Sequence, residues 1–70
     1  MAVYRTGKYQ WWDGTIYYAV ERKTFFGWRE VKRWRVSELC GTIPIRPDAV
    51  AKAEMMESVD RLIKAGNTVI

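Results

Sequence analysis

Residues 16–36 read IYYAVERKTFFGWREVKRWRV, and this stretch decides the fold. Its first part, within an extended segment spanning 15–23, is rich in the β-branched and aromatic residues that suit a pleated, half-buried surface. A loop, Thr24-Phe25-Phe26-Gly27, reverses the chain, and a further strand runs from Trp28 to about Val36. That strand alternates poorly, with Trp28, Glu30, Lys32 and Trp34 on one side and Arg29, Val31, Arg33 and Arg35 on the other. Neither set is a clean core face. A bulge would bring Val31 and Trp34 to one side, and at the level of sequence the register stays open. So many cations suit an edge or solvent-facing strand, where Lys and Arg also discourage edge-to-edge aggregation.

Upstream, Asp13-Gly14 is a strong two-residue hairpin signal. A type I′ turn there pairs strand 9–12 with strand 15–23 and sets Trp11 opposite Ile16 and Tyr9 opposite Tyr18. Trp11, Ile16, Tyr9, Tyr18 and Val20 then share one face, leaving Lys8, Gln10, Trp12, Tyr17, Ala19 and Glu21 on the other.

Downstream, residues 37–41 (SELCG) read as one helical turn with Ser37 as N-cap and Gly41 as terminator. Residues 42–46 (TIPIR) should be extended, because residues preceding Pro44 and Pro47 are kept out of the α region. Ile43 and Ile45 are expected to tuck beneath the sheet. Pro47-Asp48 opens an amphipathic helix that runs to about Ala65 and stops at Gly66-Asn67. Met55, Met56, Val59, Leu62 and Ile63 form its apolar stripe, with Glu54, Glu57, Arg61 and Lys64 facing away. Thr68-Val69-Ile70 either adds a short strand or packs loosely. The expected fold class is therefore α+β: a three-stranded antiparallel β-meander followed by one C-terminal amphipathic helix on one face. Residues 1–70 make a single small domain, with the sheet at 2–36, a connector at 37–46, the helix at 47–65 and a short tail at 66–70.

A chain of 70 residues buries only about 60% of its unfolded surface, so its core is thin. Ten aromatics compensate, and all lie within the first 34 residues. Cys40 is the single cysteine, which excludes an intramolecular disulfide, and it reads as a small buried hydrophobe. No His is present, so neither a metal site nor a cofactor is expected, and acid–base or nucleophilic catalysis lacks its usual participants. The chain is expected not to be an enzyme. Residues 1–12 lack the apolar run of a signal peptide, and no segment approaches the length of a membrane span; a cytoplasmic protein with no membrane partner is expected.

Charge is uneven. Residues 1–46 carry nine Lys/Arg against four Asp/Glu, a balance of +5, while residues 47–70 carry three against four, or −1. Between Arg22 and Arg35 lie six cations, Arg22, Lys23, Arg29, Lys32, Arg33 and Arg35, and one acid, Glu30. Phe25, Phe26, Trp28 and Trp34 are interleaved with them. Cations neutralise phosphates, and flat side chains stack on bases or wedge between them. These ten residues are the candidate surface for nucleic acid or for an acidic, nucleic-acid-associated protein. The structural alternative is that the Trp residues are core and the Arg residues guard an edge with their stems over the rings.

From Tyr9 to Ile63 the order of strands and helix resembles, in outline, the small three-stranded DNA-binding domains at the front of some tyrosine-recombinase integrases. Those insert their sheet into the major groove. The resemblance is one of layout and implies DNA as a partner without assigning any residue. A second expectation is an interaction protein, such as a phage or mobile-element inhibitor of a host complex or a toxin–antitoxin regulator. An exposed Phe25-Phe26-Gly27-Trp28 loop would serve it as an aromatic anchor, although the favoured expectation is that the loop folds over the core. A strand edge would also admit a homodimer.

Overall fold

The structure, a computed structural model, describes residues 2–36 and 46–70. The extended segments become β1 (Val3–Gln10), β2 (Ile16–Thr24) and β3 (Gly27–Arg35). Helix α1 (Asp48–Lys64) follows, and the tail forms β4 (Thr68–Val69). β1–β2 and β2–β3 are antiparallel, β4 runs parallel to β1, and the sheet order is β3-β2-β1-β4. The meander and the C-terminal helix are thus as expected, with a short fourth strand added. The readings of 37–45, including the helical turn, Cys40, Ile43 and Ile45, lie outside the described residues.

The first hairpin differs from expectation by one residue. Gln10 faces Ile16, Tyr9 faces Tyr17 and Lys8 faces Tyr18. The Trp11 amide donates to the Thr15 carbonyl at 2.8 Å and the Gly14 amide to the Trp11 carbonyl at 3.0 Å. Gly14 alone in this turn has positive φ, at 91°. The loop is therefore the three-residue form in which a glycine in the left-handed region follows an ordinary turn, and Asp13 is spared a positive φ. Instead the Asp13 carboxylate accepts the Thr15 amide at 2.9 Å, which holds its carboxyl below the usual range. A slip of one residue transfers every affected side chain to the other face. Tyr9 and Trp11 consequently leave the core side and join Tyr17, while Tyr18 and Val20 remain beneath the helix.

β3 carries the bulge. Val20 pairs with Lys32 but Glu21 pairs with Glu30, leaving Val31 unopposed and 58% exposed. The bulge puts Trp34 opposite Tyr18 on the helix side and turns Trp28, Glu30, Arg33 and Arg35 outward.

The core is small: Tyr18, Val20, Trp34, Ala51, Met55 and Val59, flanked by Tyr4, Val36, Leu62 and Val69. The helical stripe runs through Ala51, Met55, Val59 and Leu62, and it is narrower than expected. Met56 and Ile63, assigned to the stripe from sequence, are 50% and 54% exposed. The helix is rotated by its tether to the sheet, where Asp48 Oδ1 accepts the Tyr18 hydroxyl at 2.8 Å and contacts Lys8 Nζ at 3.1 Å. At the other end, Gly66 (φ 93°) donates to the Ile63 carbonyl and Asn67 to the Leu62 carbonyl, which stops the helix. Asn67 also accepts the Ala2 amide at 3.1 Å, aligning β4 beside β1.

Candidate nucleic-acid interface

The hairpin of β2 and β3 distributes the ten candidate residues over two faces and a tip. Strand alternation places Arg22, Arg29 and Lys32 on the helix side and Lys23, Trp28, Arg33 and Arg35 on the outer face. All six cations are exposed. Phe25 and Phe26 form the tip and are each 96% exposed, so the expected fold-back over the core does not occur. The reason is reach: along β2 the core cluster contains Tyr18 and Val20 but nothing closer to the tip. Trp34 is 4% exposed and belongs to the core, which removes it from the candidate surface. Lys32 Nζ lies 5.2 Å from its ring centroid.

The outer face contains residues that the sequence reading did not select. Arg33 lies over both Tyr17 and Trp11, at 4.8 and 5.3 Å from their centroids. Tyr9 stacks obliquely on Tyr17 at 5.5 Å, and Trp11 meets Tyr17 edge-on at 5.6 Å. Arg5 covers Trp28 at 4.3 Å. The result is a layer of rings and guanidinium groups on the face opposite α1. A three-residue reading of the WDG turn would have found it, because that register alone puts Tyr9, Trp11 and Tyr17 together. Trp12, in the same turn, is 98% exposed.

Glu21 organises one end of this layer. Its Oε1 accepts the Tyr9 hydroxyl at 2.6 Å and the Arg5 Nε–H at 2.8 Å. These bonds, Tyr9 first, hold the Glu21 carboxyl below its ordinary value, and the same contact raises the Tyr9 phenol above its own. Gly7 makes room for the arrangement, since a Cβ there would stand 2.6 Å from the Tyr9 ring.

Two like-charge pairs face each other across the hairpin, Glu21 with Glu30 and Arg22 with Arg29. Such pairs are destabilising unless compensated. Arg5 compensates Glu21 at 2.8 Å, and Arg33 compensates Glu30 at 2.6 Å. Arg22 and Arg29 have no carboxylate partner among the described residues.

Among the described residues no cluster of three or more His, Cys, Asp or Glu could hold a metal ion, and no helix is long and apolar enough to cross a membrane. No family model matches the chain, and neither the curated proteins nor the solved structures contain a significant match to it.

Proposed function

We propose that this protein binds nucleic acid through the β2–β3 hairpin and works by binding, not by catalysis. One observation carries the reading. Arg22, Lys23, Arg29, Lys32 and Arg35 are exposed and form no ion pair among the described residues, whereas both hairpin carboxylates are already ion-paired. An electrostatic surface of this kind is what counterion release from a phosphate backbone requires. The aromatic and guanidinium groups of the outer face add stacking surfaces beside it.

A second reading, an inhibitor that binds a protein complex, is favoured by the exposure of Phe25 and Phe26, since aromatic side chains beside Arg dominate interface hot spots. Self-association through β3 has less support, because the bulge at Val31 and the four cations of this strand oppose edge pairing.

Fluorescence anisotropy with labelled duplex and single-stranded DNA across a salt series separates the two main readings. Micromolar or tighter binding that weakens steeply as salt rises supports nucleic acid. Absence of binding even at low salt rejects it and leaves the protein partner.

A further inference from the structure

Phe25 and Phe26 contribute nothing to the core, yet their arrangement is defined. Their rings meet edge-to-face, 5.2 Å apart with an interplanar angle of 88°. The Thr24 hydroxyl donates to the Gly27 carbonyl at 2.8 Å and ties the ends of the turn together. Within this turn only Gly27 departs to positive φ, at 119°, so both Phe residues sit in ordinary backbone regions. Behind the rings, one ladder position beyond the Lys23–Trp28 pair, stands the Arg22–Arg29 pair, which has no carboxylate partner among the described residues, and Lys23 lies on the opposite face. No carboxylate occurs between Arg22 and Arg29. The tip is therefore a pair of bare rings backed by three cations.

We propose that Phe25-Phe26 is a wedge that enters a base step of duplex DNA, with Arg22 and Arg29 held against the phosphates flanking the opened step. This rests on the nucleic-acid reading above and assigns its substrate class. Apolar side chains that enter a duplex unstack base pairs and kink the helix axis, and the added protein–DNA contacts offset the unstacking. The wedge must be presented beyond the protein body, and the core cluster reaches along β2 only to Val20. It also needs cations beside it that bind phosphate, and Arg22 and Arg29, one on each strand of the hairpin and without a carboxylate partner among the described residues, provide that charge.

The length of the charged ribbon distinguishes a duplex from a lipid surface. From Arg29 to Arg35 the cations of β3 extend over six residue steps, or about 20 Å. A ring anchored in a bilayer interface reaches about 5–10 Å below the head groups, which would use the tip cations and leave Lys32, Arg33 and Arg35 idle. A duplex kinked at the tip folds back around the hairpin, where Lys32 on the helix side and Arg33 and Arg35 on the outer face reach its phosphates.

The test uses the full chain and a short DNA duplex carrying a fluorophore at each end and 2-aminopurine at a central TA step, which unstacks readily. Wild-type protein should shorten the end-to-end distance and raise 2-aminopurine emission. The F25A/F26A variant should bind roughly tenfold or more weakly, in line with the loss of ring–base stacking, and should leave the duplex straight. The R22A/R29A variant should reduce the slope of log K against log salt by about 2. Circular dichroism confirms that both variants are folded. If F25A/F26A bends the duplex as wild type does, or if single strands bind more tightly than duplexes, the wedge is rejected while nucleic-acid binding stands. If wild type binds no DNA but associates with vesicles of anionic phospholipid, the wedge and the nucleic-acid reading both fall.

Discussion

The Tyr18 hydroxyl donates to Asp48 Oδ1 at 2.8 Å, joining the first half of β2 to the first residue of α1. Lys8 Nζ approaches the same oxygen at 3.1 Å. Pro47 supplies no side-chain cap, so Asp48 has two roles: it favours the positive end of the helix and sets the rotation of α1 over the sheet.

This contact predicts how stability depends on pH. The Tyr18 hydrogen bond first, and the Lys8 contact second, hold the Asp48 carboxyl below its ordinary value. A depressed carboxylate contributes stability that is complete above its unfolded pKa, about 3.9, and is lost as pH falls through the folded value. Urea midpoints should therefore fall on the acid side of pH 4 in wild type. Asp48→Asn should lower the midpoint at pH 7 and flatten that acid-side decline. An unchanged slope would place the titrating group elsewhere.

Tyr9 predicts the opposite limb. Its hydrogen bond to Glu21 is the main cause that raises the phenol above the ordinary value of about 10. A raised pKa contributes stability that is present below the unfolded value and disappears as pH rises through the folded one. Ultraviolet titration should show a phenol that ionises above the ordinary value, and Tyr9→Phe should remove that step. Glu21→Gln should move that group back toward the ordinary value.

Gly7 and Tyr9 should be coupled. Ala at position 7 forces the Tyr9 ring away and breaks its bond to Glu21, at a cost of about 1 kcal/mol. In a Tyr9→Ala background nothing remains to be displaced, so Gly7→Ala should be neutral or slightly stabilising there. Denaturant midpoints for the four proteins of the cycle measure the coupling. Additive effects would contradict the close approach.

The aromatics should separate cleanly by stability. Trp34→Ala removes a core ring and should cost about 3–5 kcal/mol, enough to unfold a domain of this size. Phe25→Ala should change thermal stability by less than about 0.5 kcal/mol, since its ring is solvated. Thermal melts of the two variants provide the comparison.

Arg33 and Arg35 adjoin one another in sequence but differ in their attachments. Arg35 is in no ion pair among the described residues, so Arg35→Ala should weaken DNA binding and reduce the salt slope by about 1 without affecting the melting temperature. Arg33 also holds Glu30 and lies over Tyr17 and Trp11. Arg33→Ala should therefore change both binding and stability. Equal effects from the two variants would show that the outer layer is not a structural unit.

Local chemistry alone made the element order legible. Asp13-Gly14 had to reverse the chain, Pro47-Asp48 had to begin a helix and Gly66 had to end it, because few residues tolerate those backbone states. Composition likewise determined that the aromatics and most of the cations would share one region. Tertiary structure decided which way each side chain faces. One extra loop residue at Trp12–Gly14 moved Tyr9 and Trp11 to the outer face, and one bulged residue at Val31 sent Trp34 inward and Arg33 outward. A strand has a side-chain period of two, so a single residue of register reverses every such assignment while leaving local preference almost unchanged. Burial of Tyr18, Val20 and Trp34 against Ala51, Met55 and Val59 selects among those registers, and that is a property of the assembled sheet and helix together.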